Sequence, residues 1–107
     1  MSESKTFVVL DLSWLPMEAP LCLPRSRAFG ATGYRDAAGV DGLFSVYVVL
    51  DEEPSAGRSQ RARVFALVDP METELPAVGE RFTITSGVTP VAQGRVIERG
   101  RGVMSAE

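Results

Sequence analysis

A hairpin signature near the end of the chain constrains the fold more than any other feature of the sequence. Two short β-prone runs within residues 81–96 flank a turn centred on Gly87, which is the pattern of two antiparallel strands joined by a short connection. Gly94 stands inside the returning run. A glycine weakens a strand, so its presence there predicts a packing position or a close approach of another group.

Further β-prone runs precede the hairpin. The clearest is at residues 44–50, which are rich in β-branched and aromatic side chains and whose alternate apolar positions fit one buried face. Residues 7–12, 27–31 and 61–68 predict three more strands. No amphipathic helix of useful length separates them.

The segments between these runs carry the residues of turns and loops. Three prolines within residues 13–24 predict an irregular segment, in which apolar side chains such as Trp14 lie over one end of the core. The glycine-rich residues 30–42 predict a long loop. Residues 51–57 have the composition of a turn.

Short strands at this spacing predict an all-β fold, as either a small sandwich or a barrel. We expect a closed barrel, because closure removes sheet edges and the chain carries few lysines to protect an exposed edge. A length of 107 residues allows one modest core, so a single domain is expected over residues 1–107. Its ordered core is predicted at about residues 5–98, with a mobile tail at residues 99–107.

The composition argues against several kinds of chemistry. The chain has no histidine, which removes the usual nucleophile–base systems and histidine metal ligands. Cys22 is the only cysteine, so no intramolecular disulfide or cysteine zinc site can form. We therefore predict a protein that is not an enzyme and that uses no metal and no cofactor. The polar start and the short apolar run after it lack a signal or membrane segment, so a cytoplasmic protein without membrane contact is expected.

Acidic and glycine-rich segments offer weaker candidates for a site. Carboxylates cluster within residues 51–53 and 69–80, and such groups can hydrolyse glycosides or hold hard cations. Here they lie in turn-like segments without regular spacing, which favours solvated surface charge. The glycines of residues 30–42 could cradle a phosphate, but no Gly-Lys-Ser/Thr follows them, which favours an ordinary loop.

Two groups of arginines form the candidate contact surface. The net charge of −3 gives no overall attraction for nucleic acid, so contact with RNA or with an acidic protein surface needs a local basic patch. Arg61 and Arg63 share one face of a strand, and the patch forms if that strand lies beside the last one. Ordinary outward-facing charge is the alternative. The first group is Arg58, Arg61 and Arg63, and the second is Arg95, Arg99 and Arg101.

The last third of the chain also resembles a known family. An apolar run at residues 64–68 leads to Asp69-Pro70, and a turn of the form Gly-x-Arg-Phe follows at residues 79–82. Gly87 and a return of the form Val-x-x-Gly-x-Val at residues 91–96 complete the pattern. In this order and spacing, the motifs resemble the C-terminal β-barrel domain (domain 3) of elongation factor Tu and related translational GTPases. The resemblance implies a small, closed, six-stranded antiparallel barrel of the Greek-key type.

The resemblance also implies a role in binding, because this domain contacts transfer RNA and protein partners in the family. The tip of the closing hairpin carries no charged residue here, which argues against the family's contacts to RNA phosphates. The chain carries no GTPase domain, so nucleotide hydrolysis is not expected.

We therefore expect a non-enzymatic binding module that engages a protein partner in preference to RNA and is linked to translation. The alternative is an adaptor, regulatory or immunity-type protein that uses the barrel as a scaffold with no role in translation. The candidate contact residues are Arg58, Arg61, Arg63, Thr85, Ser86, Thr89, Arg95 and Arg99.

Overall fold

Six β-strands make up the fold. The computed structural model describes residues 5–15, 27–52, 59–67, 73–87 and 89–103. The strands are β1 (Lys5–Trp14), β2 (Ala28–Arg35), β3 (Phe44–Leu50), β4 (Ser59–Ala66), β5 (Arg81–Ser86) and β6 (Thr89–Gly102). A short 3-10 helix spans Val40–Gly42. Within the described ranges, no helix has the length and apolar character needed to cross a membrane.

The strands close into a barrel in the order β1-β4-β3-β2-β5-β6, and every neighbouring pair is antiparallel. β2, β3 and β4 are neighbours in sequence and in space, whereas β1 lies beside β4, which is a Greek-key arrangement. The expected all-β fold, a closed six-stranded antiparallel barrel, is confirmed.

Alternation along the strands places the core inside the barrel. In β1, Val8, Leu10 and Leu12 are fully buried, while Asp11 and Ser13, on either side of Leu12, are exposed. The apolar face predicted for residues 44–50 is confirmed, because the alternate residues of β3 join the same core cluster. A period of two is what a sheet with one buried face requires.

The glycine inside the closing hairpin lies against a backbone, as its position in a strand predicts. Gly94 pairs with Leu12 of β1 and with Phe82 of β5. A Cβ added at residue 94 would overlap the carbonyl oxygen of Asp11 and would stand 3.1 Å from the Cα of Leu12. Gly94 therefore allows β6 to pack closely against β1.

One end of the barrel is closed by a buried hydrogen bond between side chains. β1 ends there and β4 begins, which brings Trp14 and Gln60 together. The indole Nε1 of Trp14 donates to Oε1 of Gln60 over 2.7 Å, and both residues are buried. Trp14 packs in the core at this end of the barrel, where the sequence places it, although it belongs to β1 instead of an irregular segment.

Two strand ends differ from the sequence predictions by more than two residues. β2 continues to Arg35, so the long loop predicted from residue 30 is wrong for its first six residues. Gly33 belongs in this strand because a Cβ there would clash with the ring of Phe82. β6 also extends four residues into the tail predicted from residue 99, to Gly102, which pairs with Lys5. The irregular segment from residue 16 onward, most of the turn at residues 51–57, and residues 104–107 lie outside the described residues.

Candidate functional site

A groove of about 350 Å³ on the outer face of the barrel contains two of the predicted contact residues. We call it the arginine groove. Among the described residues, it is lined by Val9, Arg27, Val49, Asp51, Arg61 and Arg63, together with parts of Leu50 and Ala62. It therefore combines three guanidinium groups with an apolar lining and a single carboxylate.

The register of three neighbouring strands explains this composition. Arg63 of β4 pairs with Val9 of β1 on one side and with Val49 of β3 on the other. Paired residues of an antiparallel sheet point to the same face. Ala62 and Val64 point into the core, so the row of Val9, Arg63 and Val49 points away from it. Val9 and Arg63 are half-buried there, whereas Val49 is only 1% exposed.

An aromatic row lies next to it on the same outer face. Phe65 pairs with Phe7 and with Tyr47, and the rings of Phe7 and Phe65 are 5.3 Å apart. The guanidinium of Arg63 lies 5.9 Å from the centre of the Phe7 ring, within the range of a cation–π contact. This contact places the guanidinium of Arg63 over the Phe7 ring.

Charged residues form the next row toward the Trp14 end. Arg61 pairs with Asp11 of β1, and its carbonyl accepts a hydrogen bond of 2.9 Å from the backbone N–H of Asp51. Asp11 also pairs with Arg95 of β6, which in turn pairs with Arg81 of β5. One arginine of each predicted group, Arg61 and Arg95, thus flanks Asp11 across β1.

Arg27 is a lining residue that the sequence analysis did not select. It precedes β2, and its carbonyl accepts a hydrogen bond of 2.6 Å from the backbone N–H of Leu50. Its Nη1 donates to the carbonyl oxygen of Asp51 over 3.3 Å. No local pattern identifies Arg27 as a groove residue. It lies near Arg61 because β2 pairs with β3 and β3 pairs with β4.

Arg99 and Arg101 of the second predicted group lie away from the arginine groove. Leu10 pairs with Val96 but Val9 pairs with Glu98, so a β-bulge inserts one extra residue in β6. Beyond the bulge, Arg99 pairs with Val8 and therefore points to the opposite face from Arg95. Arg101 follows the same parity, and its Nη1 donates to Oγ1 of Thr6 over 2.9 Å. Arg58 lies outside the described residues.

The hairpin tip is separate from the arginine groove. β5 and β6 carry it, and β1 stands between them and the arginines of β4. Thr85 is only 1% exposed, and its hydroxyl is 2.5 Å from that of Thr32. The carbonyl oxygen of Gly87 lies 2.9 Å from the Thr32 hydroxyl and 2.7 Å from the Thr85 hydroxyl, so one hydroxyl can donate to the other while the second donates to this carbonyl. Thr85 therefore holds the turn in place behind the surface, while Ser86 and Thr89 are exposed.

The chemistry offered by the arginine groove is the binding of negative charge next to apolar groups. Guanidinium groups form charge-assisted hydrogen bonds with carboxylates and phosphates. Within the described part of the chain, no three or more Asp, Glu or Cys residues come together in an arrangement that could hold a metal ion. Comparison with protein-family models, with curated proteins and with solved structures gives no match. The fold and groove define a small closed β-barrel with an arginine-lined outer face.

Proposed function

We propose that this barrel is a non-enzymatic binding module and that its partner is a protein presenting an acidic segment. The observation that carries the proposal is the meeting of Arg27, Arg61 and Arg63 in one outer groove beside the half-buried Val9. Apolar area surrounded by arginine is typical of protein interfaces, in which arginine is enriched relative to lysine. A carboxylate from the partner would meet the guanidinium groups, and an adjacent apolar side chain would meet Val9, which is half-buried.

The surroundings of the groove favour an acidic protein over RNA. Asp11 pairs with Arg61, and Asp51 neighbours it on the other side, so carboxylates interrupt the positive charge. A nucleic-acid strand presents a continuous series of phosphates and gains affinity from each one that is neutralised. Discrete carboxylates on a protein can contact the arginines without approaching Asp11.

The resemblance of residues 62–96 to a domain of translational GTPases supports a partner that belongs to the translation apparatus. It also supports a cytoplasmic location for the barrel itself. The alternative is an adaptor, regulatory or immunity-type protein that uses the same groove for a partner outside translation. The buried Thr85 and the uncharged tip favour this alternative, because they offer little for transfer RNA. Mass spectrometry of the partner retained by the groove separates the two roles.

The test compares two variants that remove the same charge from different faces. Arg61→Gln combined with Arg63→Gln changes the groove, whereas Arg99→Gln combined with Arg101→Gln changes the face beyond the bulge. Fluorescence anisotropy would follow a labelled peptide of alternating Glu and Leu, and a labelled single-stranded RNA, at low ionic strength. Thermal unfolding of each variant would verify that it is folded.

We expect the peptide to bind and the groove variant to weaken it by about tenfold, which corresponds to ~1.4 kcal/mol for two partly screened ion pairs. The control variant should leave the dissociation constant within about threefold, a change of less than 1 kcal/mol. Equal weakening by both variants would show that net charge alone governs binding and would refute the groove. Preferential binding of RNA, or no binding of either probe, would contradict the proposed acidic protein partner.

A further inference from the structure

A gap in hydrogen bonding lies between the first half of β2 and the tip of the closing hairpin. β2 pairs with β3 over residues 28–33, but with β5 only over residues 32–35. Within the described residues, the first half of β2 therefore has a strand on one side only. We call this region, at residues 29–31, the β2 gap.

Backbone groups of Gly30 point into the β2 gap. The N–H of Leu50 donates to the carbonyl of Arg27. Because hydrogen-bonded residues alternate along an antiparallel pair, this bond shows which residues of β2 direct their backbone groups toward β3. Residues at odd positions of β2 bond to β3, and those at even positions face β5, as the bond from Asp36 N–H to the carbonyl of Arg81 confirms. Gly30 is exposed, and no described residue bonds to its N–H or its carbonyl.

An apolar groove of about 380 Å³ adjoins these backbone groups. Its walls include Trp14, Phe29 and Val91, and the rings of Trp14 and Phe29 are 6.3 Å apart. Phe29 and Val91 are partly buried against the core. Ligand sites are commonly of this size, with apolar walls and a few polar groups that fix orientation.

We propose that the β2 gap binds a short extended peptide segment of a partner protein as an added strand. A backbone donor and a backbone acceptor on one residue of a strand edge fit the acceptor and donor of one residue in an extended chain. The peptide residue opposite Gly30 points outward with it, so its two neighbours point inward. One of these neighbours places an apolar side chain between Trp14 and Val91. The peptide that fits the site is therefore a segment in which polar and apolar residues alternate.

This site is independent of the arginine groove. The β2 gap lies between β2 and β5, whereas the groove lies over β1, β4 and β3. Its two polar groups are uncharged backbone atoms, so affinity for the peptide depends little on ionic strength. An experiment that disproves binding at one site therefore leaves the proposal for the other site standing.

The single tryptophan of the chain provides the measurement, because Trp14 lines the groove. The probe is the blocked pentapeptide acetyl-Thr-Leu-Thr-Leu-Thr-amide, whose central residue would pair with Gly30. Its matched control carries a methyl group on the backbone nitrogen of that central residue and keeps every side chain. Titration would be followed by Trp14 fluorescence and by the amide resonance of Gly30 in a two-dimensional NMR spectrum.

We expect a saturable change in Trp14 fluorescence, a shift of the Gly30 amide, and at least about tenfold weaker binding of the methylated peptide. Arg61→Gln with Arg63→Gln should leave peptide binding unchanged. The proposal would be overturned if the methylated peptide bound with equal affinity or if neither peptide bound. Amide shifts confined to residues remote from β2 and the hairpin tip would also overturn it.

Discussion

Replacement of Gly94 by alanine tests the close packing of β6 against β1. The added Cβ would overlap the carbonyl oxygen of Asp11 and stand 3.0 Å from its carbonyl carbon. These atoms belong to the backbone of β1, which pairs with β4 on one side and with β6 on the other. The obstructing atoms therefore cannot rotate away as the end of a side chain would.

The magnitude follows from two opposing effects. Overpacking in a close-packed interior costs about 1–3 kcal/mol, and the backbone clash places this substitution near the upper limit. Alanine also restricts the unfolded chain, which stabilises the protein by about 0.4–1 kcal/mol. The net loss in free energy of unfolding is about 2 kcal/mol, which lowers Tm by about 8–16 °C for a domain of this size.

Urea denaturation followed by circular dichroism, together with calorimetry, measures this loss. The matched control is Gly30→Ala, in another strand of the same barrel, where the added Cβ meets nothing within 4 Å. Its free energy of unfolding should stay equal or rise by about 0.4–1 kcal/mol. If the two variants unfold at the same urea concentration with equal slopes, the close approach at Gly94 has no energetic consequence and the reasoning is wrong.

Three further predictions concern the core and the hairpin tip. Gln60→Leu leaves the indole N–H of Trp14 without its acceptor and should lower the free energy of unfolding by about 1–3 kcal/mol. The same substitution should cost less in a Trp14→Phe background, which has no indole N–H. Additive losses in this double-mutant cycle would contradict the buried bond. Val48→Ala opens a cavity in the core and should lower the free energy of unfolding by about 2–3 kcal/mol, and a loss below about 1 kcal/mol would contradict its full burial. Thr32→Val removes the hydroxyl contacts to Thr85 and to the Gly87 carbonyl, so amide exchange should accelerate at the tip; unchanged exchange there would show that these bonds do not hold the turn.

Strand positions were predictable where the local pattern is strong. The bounds of β3 agree with the sequence prediction, because an uninterrupted alternation of apolar residues has only one face that can be buried. β2 was predicted as a short strand followed by a loop because glycine disfavours strands in isolation. Gly33 lies in β2 because the ring of Phe82, nearly fifty residues later, occupies the space of a side chain.

The candidate site divides in the same way. The outward direction of Arg61 and Arg63 follows from alternation within β4 alone. Arg27 joins them only because strand pairing brings the start of β2 to the end of β3. Arg99 points away from Arg95 because a bulge in β6 changes the parity of the strand, and the residues around the bulge carry no local signal of it.

The sequence alone determined the all-β class, the closing hairpin and the buried face of each strong strand, because these depend on neighbouring residues and on turn chemistry. Only the tertiary structure decided the order of strands around the barrel, the placing of Arg61 and Arg95 on either side of Asp11, and the gap beside Gly30 among the described residues. Each of these depends on the register between strands far apart in the chain. A shift of one residue in that register would exchange the inner and outer faces and abolish the arginine groove.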